Sequence, residues 1–137
     1  MDTILILDDS KEDIALLSAA LEEQAAPPIH NATTVDEALQ CMQRLLHNNN
    51  SRMICVCDYY LRCTEAEAVV REIRSRFTSD RVMIVVSSSL IPPVARSRLE
   101  TQVQAVWDKP VDLDGYDHLA ARILQMKGPN AAEAPSG

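Results

Sequence analysis

No stretch of this chain approaches the roughly 20 consecutive apolar residues that a helix needs to span a bilayer. Its opening, "MDTILILDDS", has neither the basic start nor the cleavage site of a secretory signal. A cytoplasmic location with no membrane partner is expected. Also missing is any stripe of Lys and Arg. The 13 basic residues are outnumbered by 20 acidic ones and concentrate on no segment, which argues against a nucleic-acid surface and suits a site for a cation. The four cysteines, Cys41, Cys55, Cys57 and Cys63, include no Cys-x-x-Cys pair, so the spacing of a zinc site is absent. Buried, reduced thiols are expected, with Cys63 the one placed in a loop. At 137 residues the chain has room for one core, and a second catalytic or DNA-binding domain is not expected to fit. Only the ending "GPNAAEAPSG" has the composition of a flexible tail, so the expected division is a folded domain over 1–127 and a tail over 128–137.

What is present alternates. Short apolar runs lie at Thr3 to Leu7, Met53 to Cys57, Val82 to Val86 and Ala105 to Trp107, with a weaker one around Ile29. They are continuous rather than alternating, as in strands covered on both faces of a parallel sheet. Between them, apolar residues recur at intervals of three and four: Ile14, Leu17 and Leu21; Ala38, Leu39, Met42, Leu45 and Leu46; Ala66, Val69, Val70, Ile73 and Phe77; Leu119, Ala120 and Ile123. Each set defines one face of a helix. Ser10 with Asp13, Thr34 with Glu37, and Thr64 with Glu67 have capping-box spacing, and Pro92 with Pro93 suits the first turn of a further, weaker helix. Five strands alternating with five helices imply a doubly wound α/β fold, because right-handed crossovers place helices on both faces.

In such sheets ligands sit beyond the carboxyl ends of the strands. Asp8 and Asp9 follow the first strand, Asp58 the third, Ser87 to Ser89 the fourth and Lys109 the fifth, so all converge on one edge. Each has a bland reading alone. The Asp pair could simply favour the positive end of the following helix, worth about 0.3 to 1 kcal/mol each; Lys109 with Pro110 is a common turn; the serines could be only a loop. Together they describe chemistry. Three carboxylates in one crevice repel unless they take up protons or a cation, and oxygen ligands without His or Cys favour Mg²⁺. A lysine and a hydroxyl opposite the cation would complete a clamp on a transferring phosphoryl group, with Asp58 as the carboxylate that accepts it.

The pieces "ILILDDS", "ICVCDYYL", "EAVVREIR", "MIVVSSS" and "WDKPVDL", in that order and near that spacing, resemble the response-regulator receiver domains of the CheY-like family over Thr3 to about Lys127. The resemblance implies a flavodoxin-like five-stranded parallel sheet of strand order 2-1-3-4-5. It also implies that Asp58 accepts a phosphoryl group from a sensor histidine kinase or phosphotransfer protein. Asp9 and Asp58 would ligate Mg²⁺ directly, Asp8 mainly through water, and the backbone carbonyl of Tyr60 would be a further ligand. Lys109 would pair with the phosphoryl oxygens, Ser87 would hydrogen-bond one of them, and a cis peptide before Pro110 would help to aim Lys109. Such a protein is not an enzyme beyond its own phosphorylation and dephosphorylation. It signals through contacts with a downstream protein, and a homodimer would be sought on the face of the fourth helix, fifth strand and fifth helix. Within the family, "DDSKEDIALLSAAL" with "KPVDLDGYDHL" is most similar to the small stand-alone receivers of the phytochrome-associated type.

Four positions depart from the family's usual sequence. Arg62 replaces a proline, Ala66 a glycine and Ser87 a threonine, while Val106 stands where an aromatic residue commonly follows the hydroxyl inward on activation. A second reading therefore stays open, a pseudo-receiver that keeps the fold as a constitutive interaction module. A helical phosphotransfer protein built on His30, His47 or His118 conflicts with the strands. A haloacid-type phosphatase would need a second Asp where Tyr60 stands.

Overall fold

The computed structural model describes residues 2–48, 50–61 and 64–126. Cys63, Arg62 and the whole of the expected tail lie outside them. The main sheet consists of β1 (Thr3–Leu7), β2 (Ile29–Ala32), β3 (Met53–Cys57), β6 (Val82–Ser88) and β7 (Ala105–Asp108), all parallel in the order β2-β1-β3-β6-β7. Counted along the main sheet alone, this is the expected 2-1-3-4-5 order. The helices are α1 (Lys11–Glu23), α2 (Val35–Leu45), α3 (Ala66–Arg74), α4 (Pro93–Glu100) and α5 (Leu113–Leu124).

Because successive strand residues point to opposite faces, the apolar runs feed two separate cores. Ile4 and Ile6 of β1, Ile54 and Val56 of β3, and Met83 and Val85 of β6 pack on one face with Ile14, Leu17 and Leu21 of α1 and Leu119, Ala120 and Ile123 of α5. The intervening Leu5, Leu7, Cys55, Cys57, Ile84 and Val86 pack on the other face with α2, α3 and α4. Cys41, Cys55 and Cys57 are free and buried, and burial pushes the Cys55 thiol up to about 12. Trp107, expected in the core, is only partly buried, with the Arg122 guanidinium 4.1 Å from its ring centroid.

Two of the three expected helix caps form. The Ser10 hydroxyl accepts from the Asp13 N–H and the Thr34 hydroxyl from the Glu37 N–H, each at 3.2 Å. The Thr64 cap does not. Thr64 and Glu65 instead form β5, antiparallel to β4 (Tyr60–Leu61), and α3 starts at Ala66 without a side-chain cap. This hairpin is held by buried Tyr59, whose hydroxyl donates to Glu65 at 2.8 Å and whose carbonyl accepts from the Ala66 N–H at 2.9 Å. Glu67, the other half of the expected box, is paired with Arg98 of α4 at 2.9 Å.

Candidate functional site

The ladder of the sheet fixes the site residues by their own backbones. Asp8 N–H donates to Ala32, Asp58 N–H to Leu7 and Lys109 N–H to Ser88, at 3.1, 3.0 and 2.9 Å. Each bond lies at the carboxyl end of a strand, so the three side chains leave the sheet at one edge. Pairing with β7 carries β6 two residues beyond its apolar run, with Ser87 opposite Trp107 and Ser88 opposite Asp108. The serines are therefore buried strand residues rather than a loop.

A carboxylate oxygen from each of Asp8, Asp9 and Asp58 lies within 4.8 Å of the other two. Three hard anionic donors this close suit Mg²⁺, which binds through a few carboxylates and keeps several waters. The Lys109 ammonium lies 2.8 Å from Asp8, 2.8 Å from Asp13 and 3.6 Å from Asp58. Burial raises the pKa of Asp58, opposed by the Ser88 hydroxyl and by Lys109, with the charges of Asp8 and Asp9 raising it further. For Lys109 burial acts to lower the pKa, but the bonds to Asp13 and Asp8 and the charge of Asp58 outweigh it and hold the ammonium above the ordinary lysine value. A cavity of about 20 Å³, near the size that admits one water, is lined by Asp8, Asp13, Asp58, Ser87, Lys109 and Tyr116 among others.

The structure thus brings together Asp8, Asp9, Asp58 and Lys109. Ser87 joins them at the cavity wall, its buried hydroxyl without a hydrogen-bond partner among the described residues. The neighbouring Ser88 is buried as well. Tyr60 opens β4 immediately beyond the site, half exposed, with its ring edge-on to Tyr59 at 4.6 Å between centroids. No peptide is cis among the described residues, so the expected cis bond before Pro110 is not found; trans is the intrinsically favoured isomer by about 0.5–1 kcal/mol. Gly115 of α5 lets the chain after Lys109 approach closely, since a Cβ there would stand 2.8 Å from the Pro110 Cβ. Asp13 was missed as a site residue. Its capping-box spacing gave it a local role, whereas the contact with Lys109 spans 96 positions.

No family model matches the chain, and no curated protein does. Solved structures do. A two-component response regulator from Cytophaga hutchinsonii is 16% identical with a TM-score of 0.75 over 92% of this chain and 98% of that one. The Mn²⁺-bound form of response regulator Rcp1 is 19% identical with a TM-score of 0.73, over 94% and 99%. The chemotaxis protein CheY4 of Vibrio cholerae is 18% identical with a TM-score of 0.71, over 90% and 98%. The chain therefore has the fold of these CheY-like response-regulator receivers. At these identities the likeness establishes the architecture, and the site residues must carry the chemistry.

Proposed function

We propose that this chain is a receiver that takes a phosphoryl group onto Asp58 from a phosphohistidine of a sensor kinase or phosphotransfer protein. The observation that carries the reading is the company of Asp58. It is a buried carboxylate at the centre of the sheet edge, with two further carboxylates within 4.8 Å and an ammonium 3.6 Å away. In the transfer, an Asp58 oxygen bonds to phosphorus as the phosphorus–nitrogen bond to histidine breaks. Such a reaction asks the protein mainly for positioning and for charge opposite the phosphoryl oxygens. Lys109 supplies one positive charge, and the unpartnered Ser87 hydroxyl is free to donate to an oxygen. Mg²⁺, held by Asp9 and Asp58, by Asp8 through water and by the Tyr60 carbonyl, would neutralise the remaining phosphoryl charge. In this reading the chain catalyses only its own phosphorylation and dephosphorylation. Its output passes by docking to a downstream protein in the cytoplasm. No helix of the described residues is long and apolar enough to cross a bilayer.

The test is intact-protein mass after exposure to acetyl phosphate or phosphoramidate with Mg²⁺. One added phosphoryl group is expected, absent in Asp58→Asn and prevented by EDTA. An unmodified wild-type mass would overturn this reading and favour the pseudo-receiver, for which the buried Val106 at the usual aromatic position is the supporting observation.

A further inference from the structure

Resting on that reading, we propose that Asp13 is a positioning residue that keeps Lys109 aimed at Asp58 once a metal ion engages Asp8. A lysine head is a point charge on a flexible four-carbon stem, so it needs anchors to stay at one place. Lys109 has two, Asp8 and Asp13, each at 2.8 Å. They are not equivalent. Asp8 belongs to the group of three carboxylates able to share a cation, and Asp13 does not. A cation bound among Asp8, Asp9 and Asp58 competes with the ammonium for Asp8, and leaves Asp13 as the anchor outside the metal's reach.

Asp13 is itself well fixed for this task. It sits in the first turn of α1, its N–H donating to the Ser10 hydroxyl at 3.2 Å. It does not complete a capping box: the Ser10 N–H donates to Asp8 at 2.9 Å, which leaves the Asp13 carboxylate free to face the site. One oxygen accepts from Lys109, and the other lies 3.4 Å from the Tyr116 hydroxyl of α5. An ammonium has three donors. Lys109 can therefore keep its bond to Asp13 while giving another to an oxygen carried on Asp58.

The experiment compares wild type, Asp13→Asn and Asp13→Glu in the presence of Mg²⁺, using beryllofluoride as a stand-in for the phosphoryl group. At saturating Mg²⁺, Asp13→Asn is expected to weaken beryllofluoride binding roughly tenfold, as the loss of a charge-assisted anchor implies, with partial recovery in Asp13→Glu. A second readout needs no phosphoryl mimic. With Mg²⁺ alone, the Lys109 ammonium protons should be protected from exchange in wild type and unprotected in Asp13→Asn by ¹⁵N spectroscopy. Equal or tighter beryllofluoride binding in Asp13→Asn would overturn the proposal, since it would mean that Asp13 competes for Lys109 or leaves it unaffected. A beryllofluoride defect that disappears at saturating Mg²⁺ would also overturn it, by tracing the effect to metal binding rather than to the aim of Lys109. Failure of wild type itself to bind beryllofluoride would refute the receiver reading instead, so the two failures are distinguishable.

Discussion

Replacing Lys109 by Met keeps the apolar stem and deletes the one cation facing Asp8, Asp13 and Asp58 among the described residues. The side chains of Lys109, Asp8 and Asp58 are 14%, 7% and 9% exposed, whereas Asp13 is 29% exposed and better solvated. Breaking a buried ion pair costs about 3–5 kcal/mol, because the abandoned charge stays buried. Partial solvation of Asp13 and repositioning of Asp8 reduce this, so a loss of about 2–4 kcal/mol is expected in metal-free protein. For a domain of 137 residues that corresponds to a melting temperature lowered by roughly 10 °C. The assay is thermal unfolding by circular dichroism in EDTA and again in millimolar Mg²⁺. Removing the ammonium also frees Asp8, so the stabilisation by Mg²⁺, which follows mass action on the native state, should be larger in Lys109→Met than in wild type. If the variant melts with wild type in EDTA, or if Mg²⁺ shifts both equally, Lys109 does not compensate the acidic cluster and the electrostatic account of the site is wrong.

Three further outcomes are expected. Asp9→Ala should melt higher than wild type without metal, since it relieves like-charge repulsion, and should lose the increment that Mg²⁺ gives; equal metal-induced shifts in both proteins would contradict this. Phosphorylated Tyr60→Asn, with Mg²⁺ present and donor removed, should lose its phosphoryl group faster than wild type if the Tyr60 ring, edge-on to Tyr59 at the strand exit, shields Asp58 from water, since the exposed Ser89 is a poor water-positioner; an equal or slower decay means that Tyr60 is no barrier. Tyr59→Phe should cost about 1 kcal/mol at neutral pH through the lost hydrogen bond to Glu65. Burial, reinforced by Glu65, pushes the Tyr59 hydroxyl up to about 12, so its stabilising contribution is whole below the ordinary tyrosine value of about 10 and is lost as pH rises toward 12. Buried Cys55 titrates over the same range, and the difference between Tyr59→Phe and wild type in alkaline unfolding isolates the tyrosine; parallel curves would refute its role.

The sequence by itself determined the layers. Continuous apolar runs and three-to-four-residue spacing are local patterns, and β1, β3 and α1 fall where those patterns put them because burying an apolar face is the largest favourable term in folding. The same reasoning placed Asp8, Asp9, Asp58 and Lys109 at one edge, since strand direction fixes where a parallel sheet ends. The roles of neighbouring polar residues were decided by the tertiary structure. Thr64 has cap spacing, yet it pairs with Leu61 because the Tyr59 hydroxyl reaches Glu65 and holds β5 against β4. Of three consecutive serines, β6 pairing with β7 decides that Ser87 and Ser88 are buried while Ser89 is exposed. Asp13 reads as half of a capping box and becomes an anchor for Lys109, 96 residues away. A hydrogen bond is short and directional, and its partner is whatever the packed helices bring within 3 Å; no local period in the chain carries that information.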